Sequence, residues 1–340
     1  MSARSDTARL GLGIDPDPLF ADLIEAVAAA SRELGIEPVL VGTPAAAAGL
    51  DRLLLVGRPG RFRPFLDSAG GPPRTVWTGE PLPRAPEGPR TTPIAGRRSM
   101  ARRAVRPIGA TLRRVPLPSR IDRRRVSITT DRLTRANLDE LAMAAAGGAD
   151  LVVTSRDRGE CLAAWGLAAM VVPFGYHERH AGPLTPPGAG RRDVPLLLLG
   201  SRAAHTRRAT AVDRLRRDGA GRGLRIADDT WGSERERLLR RTRVMVDVHR
   251  IPGNFVGLRL LLSLAAGVAL VTEPMTDPSP FVPGLHFLEA PLDDLLDVAL
   301  ALDADEPRRA TIVEAGQALL RDHLTMRSSL EGVLAAGLPG

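Results

Sequence analysis

The sequence predicts an α/β protein with two domains, each built around a parallel β-sheet. At 340 residues the chain is long enough for roughly two domains of about 150 residues each. Short, continuously apolar runs, typical of strands buried on both faces, alternate with helical patterns along most of the chain. A polar stretch rich in proline and glycine, residues 181–192, interrupts this alternation and has the composition of an interdomain linker.

The first half, residues 1–180, opens with a strand and a helix. The apolar run Arg9–Ile14 ends at the turn sequence Asp15-Pro16-Asp17-Pro18, and apolar residues then recur at helical spacing until Gly35. Further strands are predicted at 38–43, 51–57, 150–155 and 169–176. Another strand begins the segment 74–83, which ends in a proline-rich loop, and helices are predicted at 135–146 and 158–165.

The second half, residues 193–340, repeats the same alternation. Strands are predicted at 195–201, 224–228, 244–249 and 268–273, and helices at 206–217, 233–242, 256–266, 292–302, 307–324 and 326–336. Each half is therefore predicted to be a Rossmann-like domain, and the two domains to face each other across a cleft. The last helices are candidates for packing back on the first domain.

The composition excludes several classes of protein. With 44% hydrophobic and 25% charged residues, the chain is not intrinsically disordered throughout. No apolar run reaches the roughly 18 residues of a membrane-spanning helix, and the N-terminus has no apolar signal core, so a cytoplasmic protein is expected. The single cysteine, Cys161, excludes an internal disulfide framework and fits a small buried side chain.

The positive charge is concentrated in one segment, Arg97–Arg125, which holds eleven arginines and one acid, Asp122. Because the whole chain carries +8 and this segment carries +10, the rest of the protein has a net charge of −2. The segment is either a solvated loop or a surface that attracts anionic lipid head groups or a phosphorylated acceptor. Nucleic-acid binding is disfavoured, because no aromatic residue for base stacking lies between Trp77 and Trp165.

Three loops of the second half follow predicted strands, where ligands bind in open α/β sheets. In the first, Gly200 leaves room for a ligand and Arg202, Arg207 or Arg208 could bind a phosphate. The second loop, at 249–259, joins a His-Arg pair to a Pro-Gly-Asn turn and a helix start whose free amides suit a diphosphate. In the third, Glu273 could accept hydrogen bonds from sugar or ribose hydroxyls.

Other nucleotide and catalytic motifs are absent from the sequence. It contains no GxxxxGK[ST] and no complete GxGxxG, which disfavours an ATPase or a dehydrogenase. It also lacks the GxSxG of serine hydrolases. His177 and His180 are close in sequence but have no evident third ligand, so no metal site is predicted.

Four segments of the chain follow a known pattern. The C-terminal half contains VMVDVHRIPGNFVGLRLLLSLAAGVALVTEP and the later EAGQALLRDHLT, and the first half contains the shorter WTGEPLP and VVPFGYHE. With these segments the chain resembles the glycosyl transferases group 1, in their CgeB-like variant. It covers about residues 145–336, and the first half only by architecture. It implies the GT-B fold, in which the C-terminal domain binds a nucleotide-sugar and the N-terminal domain binds a small-molecule, polymer or lipid-linked acceptor.

The resemblance also implies a set of site residues. The residues implied for the donor site are Gly200, Arg202, His249, Arg250, Gly253, Asn254, Arg259 and Glu273. Asp15 and Glu80 would face the acceptor, and either could act as the base of an inverting enzyme, whereas a retaining enzyme needs none. A metal and a separate cofactor should be unnecessary, because arginines and a helix dipole can stabilise the departing diphosphate.

Two departures from the family pattern keep other functions open. Many relatives carry a pair of glutamates where this chain has Asn254 and Leu262, and their phosphate-binding lysine has no counterpart here. Arginine can replace that lysine at a phosphate but with different geometry. The alternatives are therefore a binding or scaffold protein that kept the shell without turnover, and an arginine-driven binder of nucleic acid or an anionic surface.

Overall fold

The structure of the protein is a computed structural model, which describes residues 7–13, 15, 18–68, 70–83, 134–200, 206–255 and 257–335. The predictions for the basic segment Arg97–Arg125 and for Arg202 lie outside these residues.

The first sheet contains six parallel strands in the order β2-β1-β3-β4-β5-β6. Their bounds are Arg9–Gly13 (β1), Glu37–Val41 (β2), Arg52–Val56 (β3), Arg74–Thr78 (β4), Asp150–Val153 (β5) and Met170–Val171 (β6). The order reverses direction at β1, the pattern of a doubly wound sheet whose ligands bind beyond the carboxyl ends of the strands.

The second sheet contains five parallel strands in the order β11-β10-β9-β7-β8. Their bounds are Val194–Leu199 (β7), Leu224–Ala227 (β8), Thr242–Asp247 (β9), Ala269–Thr272 (β10) and Leu288–Glu289 (β11). The predicted α/β class with two parallel sheets is therefore confirmed.

Helices connect the strands within each sheet. Those of the first half are Pro18–Glu33, Arg63–Asp67, 134–146, Arg156–Ala164 and Glu178–Ala181, with two short 3₁₀ turns at Pro44–Ala47 and Pro59–Arg61. Those of the second half are Thr206–Asp218, Gly232–Arg240, Gly257–Ala265, Leu295–Ala304, Glu306–Asp322 and Met326–Ala335. Within the described part of the chain, no helix combines the length and hydropathy needed to cross a bilayer.

The predicted strand 169–176 is too long, because the observed strand spans only Met170–Val171. Only Met170 and Val171 pair with β5, and both are exposed because β6 is the edge of the sheet. Pro173 has no backbone N–H to donate, and the chain leaves the sheet there. The edge strand β2 is also largely exposed, so burial on both faces holds only for the inner strands.

The Pro/Gly-rich stretch 181–192 packs on the second sheet's helices. Thr185 N–H donates to the carbonyl of Ala265 at 2.8 Å, and Arg192 donates to the carbonyls of Thr242 and Ala266. Proline and glycine fit here because the stretch follows a neighbouring surface without regular secondary structure.

The last helix returns to the first half of the chain. Met326–Ala335 packs against Pro18–Glu33, and the Arg52 guanidinium donates to the carbonyl of Leu334 at 2.7 Å. One hydrophobic cluster accordingly continues from the first sheet into the second, joining Leu12 and Val172 to Leu330 and Leu264.

Candidate functional site

A cavity of about 160 Å³ lies between the two sheets, at the carboxyl ends of their strands. Its N-terminal wall is formed by Gly79, Glu80, Pro81, Thr154 and Phe174, and its C-terminal wall by Arg250, Asn254, Phe255, Gly257, Leu258 and Arg259. The two walls thus combine residues from both halves of the chain, as predicted for a cleft.

A second, larger cavity of about 690 Å³ lies at the amino ends of the first-sheet strands, beside the last helix. Its walls are mainly apolar, from Leu10, Leu34, Ile36 and Leu334. Because ligands of open α/β sheets bind at the carboxyl ends, the smaller cavity between the sheets is the candidate functional site.

Glu80 follows β4 and contributes a carboxyl group to the N-terminal wall. Its N–H donates to the hydroxyl of Thr78 at 3.1 Å, which fixes the backbone as the chain leaves the strand. Burial raises the pKa of Glu80, and the nearby guanidiniums of Arg250, Arg58 and Arg158 only partly oppose this effect. A carboxyl group with a raised pKa is suited to proton transfer near neutral pH.

Asp15, the second predicted carboxylate, lies beside this wall and is fully buried. Arg58 donates to both of its oxygens, from Nε to Oδ2 at 2.9 Å and from Nη2 to Oδ1 at 2.5 Å. The backbone N–H of Arg58 also donates to Oδ2. Asp15 is therefore held in a bidentate ion pair, while its negative charge contributes to the raised pKa of Glu80.

Arg158 joins the two walls. Its guanidinium is buried and donates to the hydroxyls of Thr154 and Ser155 at 3.0 and 2.8 Å and to the carbonyl of Glu80 at 3.1 Å. On the opposite side it donates to the Asn254 amide oxygen at 2.9 Å. One side chain thus fixes loops of the N-terminal wall to the turn of the C-terminal wall.

The turn of the C-terminal wall has the predicted Pro-Gly-Asn form. Gly253 adopts a φ of +77°, a conformation that favours glycine, and its carbonyl accepts from the N–H of Thr276 at 3.0 Å. The helix Gly257–Ala265 starts just beyond this turn, and its first residues line the cavity. The free amides of its first turn favour an anionic group at this end.

Glu273, at the end of β10, lies in an ion pair beneath this turn. Arg207 donates to both carboxylate oxygens of Glu273, at 3.0 and 2.5 Å, and to the carbonyl of His249. The N–H of His249 donates to Glu273 at 2.8 Å. The predicted donor residues His249 and Glu273 are thus brought together, and both are buried.

His249 is a buried imidazole. Its Nε2 lies 2.8 Å from the hydroxyl of Thr272, and Nδ1 has no hydrogen-bond partner among the described residues. Burial lowers the pKa of His249, although Asp247 and Glu273 oppose this effect. His249 therefore supports the loop as a neutral group.

A second ion-pair network lies under Gly200. Asp247, the last residue of β9, is buried, and its Oδ1 accepts hydrogen bonds from Arg208 at 3.1 Å and from Arg259. Arg208 also donates to the carbonyl of Leu199 at 2.7 Å. Arg259 is the member of this network that reaches the cavity.

The structure thus brings most of the predicted residues to one cleft. Glu80, Arg250, Asn254 and Arg259 line the cavity, whereas Asp15, His249 and Glu273 lie behind it in paired, buried positions. Arg158 and Asp247 were not predicted from the sequence. Asp247 could have been noticed as the one acidic side chain in the apolar predicted strand 244–249, since such a residue needs a buried partner.

The two histidines considered for a metal have different surroundings. His177 Nδ1 accepts from the N–H of Arg179 at 3.0 Å, and Nε2 lies 3.2 Å from Glu33. His180 is buried, and neither ring nitrogen has a hydrogen bond among the described residues. In that part of the chain no group of three His, Cys, Asp or Glu side chains could hold a metal ion.

The sequence of the second half matches a known family. Residues 195–335 match the sequence profile of a family described as glycosyl transferase-like. A search of curated protein sequences found no match.

Solved structures of glycosyltransferases share the whole architecture. AviGT4, a glycosyltransferase involved in avilamycin A biosynthesis, superposes with a TM-score of 0.56 and 13% identity, over 97% of this chain and 96% of its own. Sucrose-phosphate synthase from Thermosynechococcus elongatus gives 0.59 and 11%, over 96% and 98%. Anabaena HepE in complex with UDP-glucose gives 0.57 and 9%, over 96% and 98%.

The protein also resembles part of a longer enzyme. TarM of S. aureus, in a complex with UDP and sugar ligands, superposes with a TM-score of 0.52 and 10% identity. That superposition covers 84% of this chain but 55% of TarM, so the chain spans about half of its length. At these identities the likeness shows the fold, and this fold is GT-B.

Proposed function

We propose that the protein transfers a hexose from a nucleoside-diphosphate sugar to a hydroxyl or amine of an acceptor, without a metal ion, as a CgeB-like member of the glycosyl transferases. One observation carries the proposal: the cavity between the sheets combines a cationic C-terminal wall with a carboxyl group on the N-terminal wall. These are the groups that a departing diphosphate and an acceptor proton require.

The donor's diphosphate would bind at the C-terminal wall. Arg250 and Arg259 line the cavity beside the start of the helix Gly257–Ala265, so two guanidiniums and the helix amides can face one anion. This arrangement would stabilise the negative charge that develops as the sugar leaves, the task that a metal ion performs in other transferases.

The acceptor would lie against the N-terminal wall, with Glu80 as the base of an inverting reaction. Glu80 lines the cavity and has a raised pKa, whereas both oxygens of Asp15 are held by Arg58. We therefore assign proton removal to Glu80 and a structural role to Asp15. A retaining reaction would instead leave the proton to the departing phosphate, and the anomeric configuration of the product distinguishes the two.

We further propose that acceptors include lipid-linked or phosphorylated molecules, met at an anionic surface by Arg97–Arg125 of a cytoplasmic enzyme. The clustering of eleven arginines in that segment supports this. Replacing Arg97, Arg98, Arg102 and Arg103 with Gln should weaken sedimentation with vesicles of anionic lipid. Unchanged partitioning into the vesicles would leave the segment as a solvated loop.

Thermal unfolding with UDP, GDP, TDP or ADP and their sugars, each at millimolar concentration, tests the donor site. A ligand present at about 100 times its Kd stabilises the folded state by about 2.7 kcal/mol, which raises Tm by several degrees. Arg259→Gln should abolish the rise. Arg243→Gln, which removes an ion pair with Asp303 at the other end of β9, is the matched control and should retain it.

The outcomes separate the candidate functions. A rise with one nucleotide, together with release of that nucleotide in the presence of an acceptor, supports sugar transfer. Binding without turnover for every acceptor class would favour a binding protein with a GT-B shell. The absence of any rise at saturating concentrations would contradict the proposed donor site.

A further inference from the structure

The network beneath Gly200 places one buried carboxylate between two guanidiniums. Asp247 Oδ1 accepts from Nη1 of both Arg208 and Arg259. The side chains of Asp247 and Arg208 are each 1% exposed, whereas that of Arg259 is 27% exposed. The network therefore has two members that solvent does not reach and one that extends into the cleft.

Both guanidiniums approach the backbone of Gly200. A Cβ atom at this position would lie 3.1 Å from Arg259 Nη2 and 3.2 Å from Arg208 Nη2. Gly200 also has a φ of +114°, which L side chains rarely adopt. Gly200 thus lies against two cations, at the end of the strand where a ligand of the sheet would bind.

The network carries one more positive than negative charge. Arg208 is held by the carbonyls of Leu199 and Val248 as well as by Asp247, so it has no freedom to turn away. Burial, and then the charge of Arg259, lower the pKa of Arg208 to about 9. Without the carboxylate between them, the two guanidiniums would repel each other, and only Arg259 is free to move into solvent.

The network is costly for stability alone. Asp247 Oδ2 is buried and has no hydrogen bond among the described residues. Leaving a buried carboxylate oxygen unbonded costs free energy, and apolar residues would fill β9 without that cost. Such a group, directly behind a cavity-lining arginine, indicates a role in the site.

We propose that Asp247 is a positioning residue that, with Arg208 as a fixed anchor, holds the guanidinium of Arg259 beneath Gly200 for a diphosphate group. The choice of a diphosphate as the ligand rests on the proposed function, whereas the position of the Arg259 guanidinium does not. Asp247 does not touch the donor. It determines where Arg259 lies before the donor arrives, so that less ordering is needed on binding.

The first experiment measures the position of Arg259 without any ligand. Phenylglyoxal modifies accessible guanidiniums, and peptide mass spectrometry reports the rate for each arginine. Asp247→Asn should increase the modification rate of Arg259 several-fold, because the ion pair that holds it is gone. Asp303→Asn, which removes the carboxylate paired with Arg243, should increase modification of Arg243 and leave Arg259 unchanged.

The second experiment measures binding of UDP and inorganic pyrophosphate by calorimetry. Asp247→Asn should weaken UDP binding about tenfold, as is common when a residue behind a binding group is replaced. If Asp247 only offsets charge, the variant gains net positive charge and binds pyrophosphate more tightly, which would overturn the proposal. An unchanged modification rate of Arg259 would also overturn it.

If the Asp247→Asn variant does not fold, a double variant tests the same proposal. In the double variant Arg208→Gln with Asp247→Asn, the buried charges are removed together, and Arg259 should still become reactive and UDP binding should still weaken. Wild-type protein that binds no nucleoside diphosphate would contradict the proposed function, while the modification rates would still decide whether Asp247 holds Arg259.

Discussion

The two walls of the cleft are constructed differently. On the C-terminal wall, three arginines pair with acids of the same half of the chain: Arg207 with Glu273, and Arg208 and Arg259 with Asp247. On the N-terminal wall, Arg158 reaches the other half and binds Asn254. These three arginines are therefore held within their own half of the chain, whereas the acidic wall depends on both halves.

The difference teaches which part of the site needs the closed arrangement of the two sheets. Arg259, which we propose to bind the donor's diphosphate, has its ion pair with Asp247 whether or not the N-terminal wall is in contact. Glu80, by contrast, has its carbonyl bound to Arg158 and its carboxyl near Arg250 of the opposite wall, so its environment exists only when the two walls meet. Variants of the two walls should therefore affect different steps.

The largest expected effect is on turnover. Glu80→Gln should lower kcat by about 100-fold or more, the contribution of a general base, while donor affinity and Tm stay close to wild type. Asp15→Asn should instead destabilise the protein, because it weakens a buried bidentate pair with Arg58. Steady-state kinetics and urea unfolding on both variants measure the contrast. Wild-type kcat in Glu80→Gln would remove this residue as the base.

Removal of Arg158 should have the next largest effect. Arg158→Met removes the donor to the buried hydroxyls of Thr154 and Ser155 and to the half-buried amide oxygen of Asn254, and we expect a loss of about 3 kcal/mol in unfolding free energy. Arg327→Met, which breaks an exposed pair with Glu331, is the control and should change stability by less than about 0.5 kcal/mol. Equal stability in urea for the two variants would contradict the bridging role.

His180 should give the protein a dependence of stability on pH. Burial, and then Arg235, lower its pKa from 6.5 to about 3, so below pH 6.5 the unfolded chain binds a proton that the folded protein does not. The contribution of the neutral His180 imidazole to the unfolding free energy is complete above pH 6.5. It falls by about 1.4 kcal/mol per pH unit from there towards pH 3. His180→Phe should remove one proton from the slope of unfolding free energy between pH 5 and 6.5, and an unchanged slope would refute the assignment.

The smallest expected effect concerns Gly200, which lies against Arg208 and Arg259. Gly200→Ala introduces backbone strain and a contact with Arg208 and Arg259, and should cost about 1 kcal/mol in stability and several-fold in UDP affinity. Gly221→Ala is a matched control, since Gly221 also has a positive φ, of +75°, but faces open space. It should lose stability without losing affinity. Equal UDP affinity in both variants would show that Gly200 is remote from the donor.

Much of the fold follows from local patterns in the sequence. Apolar runs such as those of β3 and β9 are buried by helices on both faces, and a chain that alternates these elements can form only a parallel sheet with short connections. The two-residue strands β6 and β11 were mispredicted or missed. They lie at sheet edges, where pairing depends on the neighbouring strand more than on their own side chains.

The site could be predicted only in part. The glycine turn and the arginines after β9 follow a strand, and the rule that ligands bind there was enough to locate them. Arg158 lies in an ordinary polar helix start, and only the packing of the two halves brings it to Asn254. The sequence pattern also does not distinguish Asp15 from Glu80. What distinguishes them is the ion pair of Asp15 with Arg58, which lies 43 residues further along the chain.

The return of the last helix to the first half means that the chain passes between the two sheets twice. The two passages lie side by side. The backbone N–H of Tyr176 donates to the carbonyl of Leu324, and the carbonyl of Tyr176 accepts from the N–H of Met326, both at 2.7 Å. Gly175 allows this approach, because a Cβ there would collide with the backbone of Thr325. A rotation of one sheet against the other would therefore have its axis at this joined pair of crossings.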